Sequence, residues 1–288
     1  MDDKPRVTVV GDLMLDVNIH VTERPNAEGA VSCLHGHKFQ YFCGGAANVV
    51  HLIKEIGDCE VLVKGVLGCD WAGEILHRML LELCGAMVRI DPVGVDVSNA
   101  YPTTVKLRAY NDGMIVSRID QEWILLDRCP VAITRDYPSI GDVIAFVDYG
   151  KGVFSDRQMI EVRAIIEAND RTTVVNPCPS NRQDWSGATV CVLNEEEHGH
   201  LGFTGAQWTL ITRGDKGASL YHHETHAAGF VVDPFDEAQV VGAGDSVTAM
   251  VASSLAMGRA VPDAARRAIQ FASEYVRRPR PMTEVQDG

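Results

Sequence analysis

The 288-residue chain carries a formal net charge of −13, with 46% hydrophobic and 23% charged residues. Such a balance suits a globular α/β core and argues against nucleic acid or an anionic membrane as the main partner, since like charges repel. No stretch reaches the ~20 apolar residues of a membrane-spanning helix, and the polar opening Met1–Arg6 is unlike a signal peptide. Eight cysteines stand singly without a C-x-x-C pair, which points to reduced thiols and a cytoplasmic protein. His198, His200, His222, His223 and His226 lack Cys or carboxylate neighbours at ligand spacing, so no zinc site is expected.

In chain order, Arg6–Gly11 reads as a first buried strand, followed by Asp12 and Asp16 bracketing Leu13-Met14-Leu15. Carboxylates just past a strand's carboxyl end can accept from sugar hydroxyls, or can simply make a solvated turn. Residues 17–42 alternate apolar and polar, as short strands outside the main sheet would. Gly44-Gly45 open a helix from Ala46 to Ile56, capped by Gly57 and with Asn48 on its first turn. The glycines admit a ligand to the backbone N–H groups there, or serve tight packing. A strand at Glu60–Gly65, a helix at Trp71–Cys84 and a strand at Met87–Pro92 give a βαβ rhythm.

That rhythm breaks at Thr103–Tyr110, which pairs with Met114–Asp120 around the turn Asn111-Asp112-Gly113. Alternation clusters Lys106, Arg108 and Arg118, either as a phosphate grip or as charges that discourage edge pairing. Further strands are expected at Asp142–Val147, Thr172–Asn176, Thr189–Leu193 and Gln207–Thr212, with a Ser155-capped helix ending at Ala168. Asp148, Lys151, Asn194, Glu197, Arg213 and Gly214 then fall just after strands, at the edge where α/β proteins bind ligands. Phe230–Asp233 is β-prone, and a closing helix runs from Pro262 to about Arg277.

Gly242-Ala243-Gly244-Asp245 stands where a helix through Met257 begins. Unpaired N–H groups at such a start favour an anion, and small side chains let it approach. Asp245 beside that hole makes sense as a base that takes a proton from an attacking hydroxyl, although Asp in the first turn of a Gly-rich cap is also common. There is no G-x-x-x-x-G-K-[S/T] loop, and the first strand is not followed by G-x-G-x-x-G, which excludes a Rossmann dehydrogenase.

Gly44-Gly45-Ala46-Ala47-Asn48 and Gly242-Ala243-Gly244-Asp245, with Asn194-x-x-Glu197 between them, resemble the signatures of the ribokinase (PfkB) family of sugar kinases. Within it, V-V-G-D-L-M-L-D (Val9–Asp16), T-T-V-K-L-R (Thr103–Arg108), S-R-I-D-Q-E (Ser117–Glu122) and D-Y-G-K-G (Asp148–Gly152) are most similar to the kinases of D-glycero-β-D-manno-heptose 7-phosphate. The resemblance implies a single α/β domain over 1–288, a ribokinase-like three-layer sandwich with a mostly parallel sheet. A β lid from residues 13–42 and 98–122 would cover the sugar and pair with a second copy as a homodimer. Some of these kinases are fused to a nucleotidyltransferase; this chain is expected to act as a stand-alone kinase.

Carried over, Asp245 is the base, and Gly242, Ala243 and Gly244 hold the transferring phosphoryl group. Asp12, Gly44, Gly45 and Asn48 hold the sugar, where Asp16 and Lys151 are expected too; apart from the family pattern, Lys106 and Arg108 are expected to grip a phosphate already on the sugar. Asn194, Glu197, Arg213 and Gly214 serve ATP, the first two arranging Mg²⁺, mostly through water. The expected reaction is phosphorylation of the anomeric 1-OH to the 1,7-bisphosphate. Alternatives are a kinase for another sugar, sugar phosphate or cyclitol, or a non-catalytic sugar-phosphate sensor. Gln239 replaces an Asp that often belongs to a monovalent-cation site, which leaves such a cation doubtful. Ala268–Ala272 and Arg277–Pro281 depart from the usual adenine-side pattern, so ATP is the default nucleotide.

Overall fold

The computed structural model describes residues 4–25, 33–85, 88–93, 102–122, 142–233 and 241–278. The main sheet has nine strands: β1 (Arg6–Gly11), β4 (Glu60–Gly68), β5 (Val88–Val93), β8 (Val143–Val147), β9 (Thr172–Asn176), β10 (Val190–Asn194), β11 (Trp208–Thr212), β12 (Ala218–His222) and β13 (Thr225–Phe230). Their order is β13-β12-β11-β10-β9-β8-β1-β4-β5, parallel from β11 to β5, with β12 and β13 antiparallel at one edge. Continuous β-branched and apolar runs such as Val143–Val147 build the centre, because a parallel sheet is covered on both faces.

Period-two alternation divides those runs between two cores. Val7, Val9, Ala145 and Val147 pack on one side, with buried residues of α1 (Ala46–Ile56), α2 (Trp71–Cys84), α5 (Ala243–Ala256) and α6 (Val261–Tyr275). Val10, Ile144 and Phe146 face the other, against α3 (Asp156–Ala168) and Trp185. The result is a three-layer α/β/α sandwich. Among the described residues, no helix is long and apolar enough to cross a membrane.

A second sheet of four strands has the order β3-β2-β6-β7, from β2 (Leu13–Arg24), β3 (Cys33–Gly45), β6 (Thr104–Asn111) and β7 (Met114–Gln121). The short strands expected over 17–42 are instead two long ones of 12 and 13 residues, paired from Leu13↔Gly45 to Arg24↔Cys33. Leu13-Met14-Leu15 begins β2, with only Asp12 between it and the end of β1. The β6–β7 hairpin turns at Asp112 (φ 49°) and Gly113 (φ 81°), the left-handed pair that suits a two-residue turn.

The β12–β13 hairpin was not foreseen. Its turn residues His223 (φ 42°) and Glu224 (φ 66°) adopt positive φ without the Asn-Gly chemistry that would signal it. The β-prone run at Phe230–Asp233 begins only where β13 ends.

The sheet order reverses between β1 and β8, where β1 pairs with both β4 and β8. Such a switch point opens a crevice at the strands' carboxyl ends. Asp12 and Asp148 stand at those ends, and the second sheet rises from the same edge.

Candidate active site

Helix α5 starts at the crevice. Gly242 is its N-cap with φ 85°, and the first intrahelical bond runs from Ser246 N–H to Gly242 C=O at 2.9 Å. Ala243 and Gly244 line a cavity of about 750 Å³. A Cβ built on Gly244 would meet nothing within 4 Å, whereas one on Gly242 would lie 2.8 Å from both Asn48 Nδ2 and Tyr275 Oη. The backbone at Gly244 is thus open to an approaching group, which suits a phosphoryl group.

Asp245 follows, 5% exposed. Its Oδ2 accepts from Asn48 Nδ2 at 2.7 Å, and its Oδ1 accepts from Tyr149 Oη at 2.7 Å. Burial pushes its carboxyl up to about 6; the two hydrogen bonds and Lys106 pull it down, while Asp16 raises it. A carboxylate still ionised at neutral pH but with appreciable proton affinity is suited to general-base work. The structure therefore brings Asn48, on α1, against Asp245, 197 residues later.

Gly44 and Gly45 meet a different environment. A Cβ on Gly44 would lie 2.8 Å from Met14 Cγ and 3.0 Å from Asp16 Oδ1; one on Gly45 (φ 56°) would lie 2.6 Å from Asp12 O. Ala46 N–H, the first of α1, already donates to Asp12 C=O at 3.0 Å. These glycines let β3 and α1 close onto β2, so packing accounts for them.

Asp12 also departs from expectation. Its carboxylate accepts backbone N–H groups of Tyr149 (2.7 Å), Lys151 (3.1 Å) and Val153 (3.2 Å), and it is 2% exposed. It holds the loop after β8 through three of its roughly four acceptor positions. Burial raises its pKa despite those donors. Asp148, on the same loop, is raised to about 7 by burial and by the charge of Asp12; Gly150 N–H and Asn181 Nδ2 hold it. Lys151 pairs with Glu122 at 2.8 Å, which ties the end of β7 to that loop.

The second sheet presents a polar face beside Asp245. Cross-strand registers Asp16↔Lys106, Asn18↔Arg108, Asn18↔Gln40, Lys106↔Asp120 and Arg108↔Arg118 place these residues on one side, since directly paired residues share a face. Arg108 Nη1 lies 3.3 Å from Asp16 Oδ2 in a buried ion pair. Lys106 Nζ stands 5.4 Å over the Tyr149 ring. Arg118 is taken up by Asp120, at 2.8 and 2.7 Å. Asn18 and Gln40, which sequence reasoning missed, are 7% and 5% exposed, and Asn18 Oδ1 and Gln40 Nε2 make no hydrogen bond. Buried polar atoms are nearly always paired, so these two and Arg108 are what a polyol or phosphate site looks like without its occupant. Their signal in the sequence was the alternation Asp16-x-Asn18, read only as a strand pattern.

The cavity extends from Gly244 along the ends of β9–β11. Asn194 N-caps α4 (Glu195–Leu201) in a capping box: its Oδ1 accepts from Glu197 N–H, and its own N–H donates to Glu197 Oε2, both at 2.8 Å. Both residues line the cavity, as do Arg213 and Gly214. Burial raises the Glu197 carboxyl. Arg213 donates to Glu195 (3.2 Å) and Ser219 (2.6 Å). Ile269 and Ala272 of α6, its C-cap Val276 and Val232 form an apolar wall. Gln239 lies outside the described residues, as does part of the 98–122 segment.

This fold is ribokinase-like. The chain superposes on a ribokinase from Arabidopsis thaliana complexed with ribose and ATP at a TM-score of 0.66, with 19% identity, over 94% of this chain and 92% of that one. It superposes on a Cryptococcus neoformans ribokinase in complex with ADP at 0.65, with 15% identity, over 96% and 95%. Residues 162–287 match the model of the pfkB family carbohydrate kinases. Over those residues the chain is thus similar to the pfkB family carbohydrate kinases.

Among curated relatives, it is 33% identical to the Bifunctional protein HldE of Mesorhizobium japonicum, covering 88% of this chain and 54% of that protein. It is 28% identical to the D-beta-D-heptose 7-phosphate kinase of Bordetella bronchiseptica, covering 91% and 88%. The chain thus spans about half the length of the HldE proteins that it matches.

Proposed function

We propose that this protein is an ATP-dependent sugar kinase whose substrate is D-glycero-D-manno-heptose 7-phosphate and whose product is the 1,7-bisphosphate. The observation that carries the reading is Asp245: a buried, doubly hydrogen-bonded carboxylate on the first turn of α5, between a nucleotide-sized cavity and a polar face with unpaired donors and acceptors. The names of the curated relatives support the choice of sugar.

In this reading Asp245 takes the proton of the anomeric hydroxyl as its oxygen attacks the γ-phosphorus. The bond from that phosphorus to the bridging oxygen breaks, and ADP leaves with the electron pair. Helix-start amides of Ala243 and Gly244 bear the charge spread over the transferring group. Asp16, Asn18 and Gln40 orient the sugar, with Asn48 holding the base. Lys106 and Arg108 receive the 7-phosphate. Arg213 and Gly214 flank the ATP phosphates, and α6 with Val232 takes the base.

Mg²⁺ fits the donor set through water. Glu197 lines the cavity and accepts one hydrogen bond, which leaves acceptor capacity beside Asn194. The ion would neutralise charge on the ATP phosphates there.

The whole chain serves as one kinase domain, with the four-stranded sheet as its lid, working in the cytoplasm with its cysteines reduced. Phe39, Ile115 and Ile119 of that sheet are each more than half exposed, which supports a homodimer through the lid. Light scattering should give twice the chain mass, and Ile119→Asp should give one.

The primary test is coupled ADP release with Mg²⁺–ATP across five-, six- and seven-carbon sugars, with and without phosphate. Selective turnover of the heptose 7-phosphate is expected. Turnover of a different sugar would overturn the substrate, and binding without turnover would favour a sensor.

A further inference from the structure

We infer that Tyr149 is the positioning residue of the catalytic base: its phenol aims Asp245 at the sugar, and its ring joins that base to the lid. This rests on Asp245 being the base.

Two fixed donors grip Asp245. Asn48 Nδ2 takes Oδ2 and Tyr149 Oη takes Oδ1, both at 2.7 Å. Each carboxylate oxygen can accept twice, so one direction on each remains for an incoming hydroxyl. With one donor, the carboxylate could rotate about its own axis; with two it has a single orientation. Asn48 is already part of the Gly-Gly-Ala-Ala-Asn motif. Tyr149 comes from the other side, on the loop after β8, and no motif for phosphoryl transfer calls for it.

That loop is built to hold the phenol still. The Tyr149 N–H donates to Asp12 Oδ2, and Lys151 and Val153 N–H groups donate to the same carboxylate. The loop then meets the lid twice. Lys106 of β6 sits over the Tyr149 ring at 5.4 Å, and Lys151 pairs with Glu122 just past β7 at 2.8 Å. A shift of the lid therefore moves groups that touch Tyr149, which touches the base.

The charges around the pair determine the sign of its effect. Asp16 of β2 opposes ionisation of Asp245, whereas Lys106 of β6 and the donors Asn48 and Tyr149 favour it. The phenol faces Asp245, Glu197 and Asp16, and burial with these carboxylates holds its proton well above the ordinary tyrosine range. Tyr149 is thus a permanent donor. It stabilises the carboxylate and does not itself carry the transferred proton.

The test is Tyr149→Phe in the full chain, read in two ways. Without substrate, the carboxyl ¹³C resonance of Asp245, assigned by its loss in Asp245→Asn, is titrated by NMR. Removing a donor to the charged form should raise its midpoint by about one unit. In turnover, the acidic limb of kcat should rise by the same amount, kcat at pH 6 should fall about five-fold, and KM for the sugar should change less than about three-fold. Incorporating 3-fluorotyrosine at 149, a stronger donor that keeps the ring, should move the midpoint down. Lys106→Met should raise the midpoint in the wild-type background and raise it less in Tyr149→Phe.

An unmoved NMR midpoint in both Tyr149 variants, with kcat and KM worsening in parallel at every pH, would reduce Tyr149 to packing. Equal Lys106 effects in both backgrounds would remove the lid from the relay. Turnover surviving Asp245→Asn would defeat the base assignment instead, while the NMR comparison would still report the contact.

Discussion

Two helices begin with nearly the same words, Gly44-Gly45-Ala46 at α1 and Gly242-Ala243-Gly244 at α5, and the fold uses them differently. At α1 the glycines are filled space: Met14, Asp16 and the Asp12 backbone lie where side chains would go, and Asp12 C=O takes the first N–H. At α5, Gly244 borders open cavity and Asp245 stands one residue on. A small-residue helix start is therefore an anion cradle only where the neighbouring strands withdraw. Asn48 and Asp245 join the two helices by one hydrogen bond, so α1 holds the carboxylate that α5 presents.

The largest expected effect separates chemistry from grip. Asp245→Asn should lower kcat by about 10²- to 10⁴-fold, the usual contribution of a general base, while calorimetry shows sugar binding almost unchanged. Equal loss of binding would make Asp245 part of the sugar site alone.

Next, glycine substitutions should behave oppositely at the two helix starts. Gly244→Ala should cost no stability, because the methyl enters open space and alanine is the better helix former. It should instead raise KM for ATP and lower kcat, since the methyl stands where the phosphoryl group comes. Gly45→Ala should lose about 1–3 kcal/mol in denaturant unfolding, from its positive φ and the Asp12 carbonyl 2.6 Å away. If the two variants behaved alike, the contrast between the helix starts would be wrong.

Arg108→Ala tests the polar face. It removes the Arg108 ion pair from the buried Asp16 carboxylate, a loss of about 3–5 kcal/mol by analogy with broken buried pairs. It should also raise KM more for a phosphorylated sugar than for its unphosphorylated analogue. A stability loss with equal KM effects would assign Arg108 to Asp16 and not to phosphate.

The smallest effect is on pH. Asp245 is raised to about 6 and Asp148 to about 7 in the folded chain, above the ordinary carboxyl value of 3.8. Groups raised on folding stabilise the fold below their unfolded pKa, and that contribution is lost as pH rises through the folded values. These two groups should thus make the fold more resistant to urea as pH falls from about 7 toward 4. Turnover should fall through about pH 6, as the base gains its proton. Asp148→Asn should flatten the stability profile near pH 7 and leave the acidic limb of turnover in place.

The repeating α/β pattern was legible because hydrophobic periodicity and caps are local. Trp71–Cys84 and Asp156–Ala168 emerge with the expected ends, as does the Gly57 cap of α1. The candidate site was legible where motif residues sit on helix starts, at Asn48, Ala243, Gly244 and Asp245. It was not legible where role depends on a partner. Asp12 looks like a free carboxylate until three N–H groups from residues 149–153 close on it. Asn194 and Glu197 are half occupied with capping their own helix. Asn18 and Gln40 carried no motif, and Tyr149 stood in D-Y-G-K-G without an assigned role; all three become visible only through register and hydrogen bonding.

By itself, the sequence determined the α/β alternation, most strands and helices of the main sheet and the small-residue start beside Asp245, since each follows from side-chain periodicity, backbone freedom and charge over a few residues. The tertiary structure alone decided which carboxylate stays available for chemistry. Asp12, Asp16, Asp148 and Asp245 are alike as side chains; their donors, burial and neighbouring charges come from elements up to 197 residues apart, and those set Asp245 apart as the candidate base.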